Sequence, residues 1–483
     1  MPDLLARLRR IPPATLAFAG SLLLSGIAVS GTLIVGRDGA LYLDTAQKAV
    51  DHGLRAAFLA FDWPWFSLLI AATHRLSALP LEWAAQLWCA LFLAATCALL
   101  VVVSQRCAAG SGYWACLIVL SVPAYNHLRG DIIREFGFWF FGLLALWLAV
   151  AWREHGGWRR ALLVQLAIAA ASLFRLEAVL LAPAVLLCLL GDLSRRQGWL
   201  NLLQLGALPL AGLAAALLSL WSGADLSAQQ RIAYYLTLLD PRNLFAGLDT
   251  MASRFAAAAL EKYSTDDARQ IVLFGVTSAL LVKFLTLNGP FCLPLLWPAS
   301  WRSVVVYWSR LRPFAWTAVL YFGVLLLFFF QQRFTNSRYM SLLNLLAVPL
   351  LSLACLSFAR HFPRLAKALV AVAVVVMLSN VISFGPRKTH YLEAAGWLSQ
   401  NTQASDAVYY DDVRIAYYAG RGYPSMPVER GALMAADPAA QFRYLVLNPK
   451  PDDPLYRSLI ERHWRVVARF ANRKGDSIVV LER

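Results

Sequence analysis

The chain has 483 residues, of which 59% are hydrophobic and only 15% charged; 17 Trp accompany 26 Phe, and the formal net charge is +16. With a mean hydropathy of +0.56, this composition excludes an ordinary soluble enzyme and a disordered chain, and describes a polytopic α-helical membrane protein. The basic excess forms no cluster with interleaved aromatics apart from the apolar runs, so no nucleic-acid partner is expected.

Crossing a hydrocarbon core of roughly 30 Å takes about 20 apolar residues. About eleven runs qualify, near 14–35, 83–104, 111–127, 135–152, 160–174, 177–191, 199–221, 271–297, 313–331, 339–359 and 364–384. The first lacks a small-residue cleavage site and reads as an anchor. Residues 36–82 form a first outer loop, in which Ala40, Leu41, Leu43, Ala46, Ala49 and Val50 interleave with Asp44, Gln47, Lys48 and Asp51. That pattern predicts a helix lying along the membrane surface. The stretch 65–79 is bounded by Pro64 and Pro80 and contains His74 and Arg75, so it reads as an interfacial or re-entrant helix. A second polar outer segment, 222–270, is expected to be helical around 227–238 and 249–262, with a turn at Asp240-Pro-Arg-Asn243.

From Arg387 the composition becomes that of a small soluble α/β domain. A helix near 390–400, a strand at 407–410 and a helix at 412–419 stopped by Gly420 are expected, followed by a strand at 442–447 and a helix at 454–463. An antiparallel pair, 464–470 with 477–481, closes across Asn472-Arg-Lys-Gly475. No Gly-rich phosphate fingerprint follows either early strand, so nucleotide binding is not supported there. The reading is a transmembrane catalytic domain at 1–386 and a soluble extracytoplasmic α/β domain at 387–483.

With the N-terminus cytoplasmic, the inner side carries fifteen Arg and Lys against nine in the short outer segments, as the positive-inside rule requires. Before residue 387 the acidic residues divide three inside to fourteen outside. An odd number of spans then places the tail outside, in a multi-pass plasma (inner) membrane protein. The seven cysteines lie in or beside spans, which leaves no external disulfide framework and no CxxC pair.

Carboxylates at a membrane surface are costly unless paired, hydrated or used, which singles out Asp38 and Asp44. Asp131, Arg134 and Glu135 fall at i, i+3 and i+4 and share one helix face; acidic groups opposing the helix macrodipole would show the same pattern. Arg175 and Glu177 sit at the break between two spans, as simple turn residues also would. Arg333 and Arg338 flank another outer link that ends in Tyr339, where snorkelling to headgroups is the plainer reading. Lys283, near the centre of a span, carries an insertion cost of roughly 2.5–3.5 kcal/mol. Together these groups suit an outer-facing cavity for a substrate with a phosphate in the lipid interface and a hydroxyl held near a carboxylate.

Arg37-Asp-Gly-Ala-Leu-Tyr-Leu-Asp-Thr-Ala-Gln47, followed by Phe61-Asp-Trp-Pro-Trp-Phe-Ser-Leu-Leu-Ile70, resembles the first outer loop of the GT-C membrane glycosyltransferases, the protein O-mannosyltransferase and aminoarabinose transferase group. Residues 129–135, Phe174-Arg-Leu-Glu177 and Arg338-Tyr339 fall where that family places its second acidic element and later polar positions, and the tail around 408–421 is similar to bacterial members. Gly39 stands where many members have Glu, and Trp63-Pro-Trp65 replaces Pro-Pro-Leu, which leaves metal use and the choice of sugar open; a divalent cation is the one cofactor considered. The resemblance implies a sugar transferred from a polyprenyl-phosphate donor, with inversion, to a hydroxyl of a glycan, lipid or protein. Asp38 would be the base and Asp131 the second acidic residue, with Glu135 beside it. Arg37, Asp44, Arg134, Arg175, Glu177, Lys283, Arg333, Arg338 and Tyr339 would bind substrate. The rival readings are a transporter or flippase of lipid-linked glycans and a non-catalytic envelope-assembly subunit. A hydrolase or ligase would draw on His52, His74 or His127. No internal repeat supports transport.

Overall fold

The computed structural model describes residues 11–221, 240–382, 385, 387–424, 430–435 and 441–483. The apolar runs form helices because a backbone in hydrocarbon must satisfy its own hydrogen bonds. Among the described residues seven helical segments are long and apolar enough to cross a membrane: Pro13–Gly31, Leu81–Cys107, Glu135–His155, Lys262–Leu296, Arg312–Gln332, Ser337–His361 and Pro363–Val381. The chain is a multi-pass membrane protein. Length and composition therefore support seven of the eleven expected spans. Three of the other four coincide with shorter or broken helices, Gly112–Ser121 followed by Pro123–Asn126, Trp158–Phe174, and Leu181–Leu187 after a 3-10 turn, and the fourth with the 26-residue helix Arg196–Trp221, which contains Pro209. All seven cysteines are free, six of them buried and Cys292 half-buried.

The chain divides into two compact units. The first, Met1–Ser25, Ala90–Arg129 and Arg134–Val381, is the helical bundle. Ser337–His361 is its most enclosed helix, with a run of buried residues from Met340 to Ala347 and on to Cys355. Arg129 is 2% exposed and acts as a clamp. Its guanidinium donates to Asn126 Oδ1 (2.8 Å), to Ser21 O (2.9 Å) and to the hydroxyls of Ser21 (2.8 Å) and Ser25 (3.0 Å).

The second unit is Gly26–Cys89, Gly130–Ile133 and Ile382–Arg483. It joins the first outer loop to the soluble tail, where the sequence drew a boundary at 387. The loop folds as helices Arg37–His52, Leu54–Ala60 and Trp65–Ser77. Tyr42 meets Phe61 and Phe66 across this turn, and Arg75 donates to the carbonyls of Ala49 and Val50 at the end of the first helix. The expected helical stretch 227–238 lies outside the described residues. The expected turn at Asp240 is instead a helix cap, its carboxylate accepting from Arg242 N as Pro241–Ala259 begins.

In the tail, β1 (Val408–Tyr410), β2 (Tyr444–Leu447), β3 (Arg465–Ala471) and β4 (Ser477–Glu482) form a sheet in the order β1-β2-β4-β3, with β1 and β2 parallel and the other pairings antiparallel. Side-chain alternation divides it into two faces. Tyr444, Val446, Ile478 and Val480 pack with helix Thr389–Asn401 and Ile415, whereas Leu445, Leu447, Val479 and Leu481 pack with Leu455, Leu459 and Leu433. Ile34, just ahead of the outer-loop helix, enters the first of these cores, and Val35 N donates to Tyr418 Oη at 2.9 Å. The loop is thereby held by the tail's own packing.

Candidate active site

In the helical bundle, one charged cluster forms where helices stop. Trp158–Phe174 ends at Arg175, whose backbone leaves in an extended conformation (φ −146°, ψ 127°), and the 3-10 turn Leu176–Leu180 carries Glu177. Arg175 thereby lies between two carboxylates. Nη1 donates to Glu135 Oε1 at 2.5 Å, while Nε and Nη2 donate to Glu177 Oε2 (3.2 Å) and Oε1 (2.5 Å) in a two-pronged bond. Arg338, in the first turn of Ser337–His361, places its Nε 3.1 Å from the same Glu135 Oε1. The Arg175 guanidinium also lies over the Tyr339 ring, 5.5 Å from its centroid, and the Tyr339 carbonyl accepts from Tyr321 Oη at 2.8 Å. Within these pairs two guanidinium groups face two carboxylates, and the charge of Arg134 also acts on Glu177. Glu135 is 3% exposed, and its Oε2 has no hydrogen-bond partner among the described residues.

Arg134 occupies the cap position ahead of Glu135. Lys283 donates through Nζ to Thr335 O at 3.0 Å, so its charge is committed to the end of a loop. Arg333 is exposed and ends helix Arg312–Gln332 with φ +58°, its N–H closing on Phe329 O.

Beside these elements is an apolar groove of about 1150 Å3. Leu180, Leu187, Leu248, Leu273, Val324 and Phe330 contribute to its walls, with Arg269 among the few polar groups. The 3-10 turn that carries Glu177 thus also supplies Leu180 to the groove, and the helix that ends at Arg333 supplies Phe330. Arg269 pairs with Asp249 at 3.3 Å.

In the second unit, the carboxylates gather on helix Arg37–His52. Asp38 lies in its first turn, and Asp131 Oδ1 comes within 3.5 Å of where a Cβ on Gly36, the capping residue, would stand. A side chain at position 39 would meet Ile132 Cβ at 3.1 Å, which gives the glycine there a packing reason. Asp44 is buried and paired with Lys48 at 2.7 Å. Gly422, at φ +72°, brings the tail's backbone onto Asp44, because a Cβ there would stand 2.8 Å from Oδ1.

Arg37 donates to Asp412 Oδ2 at 3.2 Å. Asp412, capping the short helix Val413–Tyr418, is also held by Arg414 through Nε (2.8 Å) and Nη2 (2.6 Å), and Tyr391 and Lys388 complete the surroundings. Burial pushes the Asp412 carboxyl up, but the Arg414 hydrogen bond and charge, with Arg37 beyond, hold it below the usual carboxylate range. Burial, then the charge of Asp38, raises the Tyr423 hydroxyl. Asp412, Arg414, Tyr391 and Tyr423 escaped the sequence reading of the site. Their one local signal was the Asp-before-helix pattern at 412.

The histidines have local partners: His74 Nδ1 lies 2.7 Å from Leu79 O and His127 Nδ1 2.5 Å from Pro123 O, while His52 is exposed. Among the described residues no three His, Cys, Asp or Glu side chains converge as a metal site.

Among solved structures, the chain is similar to the oligosaccharyltransferase of Archaeoglobus fulgidus, crystallised with zinc and sulfate, with a TM-score of 0.53 and 11% identity over 96% of this chain and 72% of that one. ArnT from Cupriavidus metallidurans aligns over 97% of each chain in its apo form (TM-score 0.44, 14% identity) and bound to undecaprenyl phosphate (TM-score 0.45, 15% identity). No family model and no curated protein matches the chain. The likeness to the oligosaccharyltransferase shows a shared fold, the one that the GT-C resemblance implied.

Proposed function

We propose that this chain is an inverting glycosyltransferase that moves a sugar from a polyprenyl-phosphate donor to an acceptor hydroxyl on the outer face of the membrane. The observation that carries this reading is the apolar groove of about 1150 Å3, whose walls come from the same turn and helix that bear Glu177 and end at Arg333. Such a groove suits an isoprenoid chain, and the guanidinium of Arg175, which precedes the turn that supplies Leu180, and that of Arg333, which follows the helix that supplies Phe330, suit the phosphate that the chain carries. The fold neighbour is an oligosaccharyltransferase, which supports sugar transfer as the reaction class.

In this reading Arg338 and Arg333 stabilise the leaving phosphate, and the Arg175 pairs with Glu135 and Glu177 hold the cluster in shape. Asp38 accepts the proton of the acceptor hydroxyl as its oxygen bonds to the anomeric carbon. The bond from that carbon to the phosphate oxygen breaks, polyprenyl phosphate leaves with the electron pair, and the anomeric configuration inverts. Asp131 and Asp44 supply further carboxylates for orienting the acceptor, which is a glycan, a lipid or a protein.

The test is to incubate purified protein with radiolabelled polyprenyl-phosphate sugars and membrane extract, comparing wild type with Asp38→Asn at matched expression. Transfer by wild type that falls by at least about a hundredfold in the variant, with donor binding retained, is expected. Transfer unchanged in Asp38→Asn would sink the assigned base and move the search to Asp44 or Asp131.

A further inference from the structure

A second charged cavity, of about 320 Å3, lies in the helical bundle at the far end of the helices from Glu135. Glu135 opens helix Glu135–His155, and Glu154 nearly closes it. At 1.5 Å per residue that helix spans about 30 Å, the thickness of a hydrocarbon core. The two charged sites therefore belong to opposite membrane faces. Arg106, Arg153, Arg310 and Glu154 line this second cavity, with Val150 and Leu311 as apolar neighbours. Three guanidinium groups face one carboxylate.

The geometry leaves part of that charge unspent. Arg106 pairs with Glu154, which accounts for one positive and one negative charge. Arg310 reaches across the bundle to donate through Nη1 to the carbonyls of Arg106 and Cys107, both at 3.2 Å. It thereby satisfies the open end of helix Leu81–Cys107 without neutralising itself. Arg153 adds a third guanidinium, so the cavity holds two positive charges in excess. Ordinary snorkelling arginines spread apart over the surface; these line one half-open cavity from three different helices, Leu81–Cys107, Glu135–His155 and Arg302–Arg310.

We infer that this cavity binds a phosphate-bearing anion at the membrane face opposite the proposed transfer site. Guanidinium groups bind phosphate through paired N–H donors, and basic pockets between transmembrane helices favour acidic headgroups. Val150 and Leu311 would meet the glycerol of a lipid, whereas a free phosphate would use the arginines alone. The inference is independent of the transferase reading, and it is read by binding, not by turnover.

The full-length protein in detergent is titrated with phosphatidylglycerol, with phosphatidylcholine and with inorganic phosphate, and followed by native mass spectrometry and by thermal unfolding. Wild type is expected to retain phosphatidylglycerol over phosphatidylcholine and to unfold at a higher temperature with it. Arg153→Gln with Arg310→Gln is expected to weaken that retention by about thirtyfold, whereas Arg153→Lys with Arg310→Lys restores most of it. The Lys pair keeps the charge, so its rescue separates loss of binding from loss of folding. Protection by phosphatidylglycerol alone assigns the site to a lipid headgroup, and equal protection by inorganic phosphate assigns it to a free anion. Retention that is the same in wild type and the Gln pair, or no preference over phosphatidylcholine with no effect of phosphate, would overturn the inference.

Discussion

Removing Glu135 should uncouple two arginines that share one oxygen. Arg338 Nε stands 3.1 Å from Glu135 Oε1, with the side chains 21% and 4% exposed. Unit charges at that separation attract by about 5 kcal/mol at an effective dielectric of about 20 and by about 1 kcal/mol in water. The carboxylate is enclosed and the guanidinium partly open, so a coupling of about 2–3 kcal/mol is expected, on top of a cost of about 3–5 kcal/mol for Glu135→Gln itself. The assay is equilibrium unfolding in mixed micelles, followed by tryptophan fluorescence, on wild type, Glu135→Gln, Arg338→Met and the double variant. The double variant should lose less than the sum of the singles by that coupling. Losses that add to within about 0.5 kcal/mol would refute the pairing as an energetic unit.

Three further outcomes follow from the second unit and from the opposite membrane face. The Asp412 carboxyl is held below its usual range by Arg414 against the effect of burial. The stability it contributes is therefore present above the unfolded value of about 3.9 and lost as pH falls through the lower folded value. The acid limb of an unfolding-versus-pH curve should flatten in Asp412→Asn, and an unchanged limb would contradict that reading. Gly420 and Gly422 both have left-handed φ values, but only at Gly422 would a Cβ meet a neighbour, Asp44 Oδ1. Gly420→Ala should cost about 1 kcal/mol and Gly422→Ala about 2–3 kcal/mol, and equal losses in denaturant titrations would remove the close approach as the cause. Arg153→Gln with Arg310→Gln should leave sugar transfer in detergent intact while weakening anion retention, which assays of both on one preparation would decide.

The helices and the tail were legible because their signals are local. Apolar runs marked the bundle, and the stretch 442–447 was read as a strand, whose Val446 faces one core while Leu445 and Leu447 face the other. The turn at Asn472-Arg-Lys-Gly475 joins β3 and β4 as expected. Span 177–191 was read too long, because its apolar composition does not reveal the 3-10 turn Leu176–Leu180 or the end of the α-helix at Leu187. The site was harder. Glu135, Arg175, Glu177 and Arg338 were singled out one by one, but that a single oxygen joins Arg175 to Arg338 depends on residues more than 150 apart in the chain. Arg129 was grouped with the acidic motif that follows it, yet its Nε and Nη1 donate to Asn126, Ser21 and Ser25. Lys283 looked most exceptional because composition cannot reveal a carbonyl 52 residues away. Asp412 was hidden by the opposite circumstance, as an acid in a polar tail attracts no notice until Arg37 is seen against it.

The cysteines have a practical consequence. Six of the seven are buried and the seventh is half-buried, so a bulky, membrane-impermeant maleimide should find almost no thiol on the native chain. Single cysteines introduced at exposed Arg333 and exposed Arg159 can then be labelled in intact cells and in inverted vesicles without first stripping the chain of its own thiols, and the side from which each reacts fixes the direction in which the bundle is threaded.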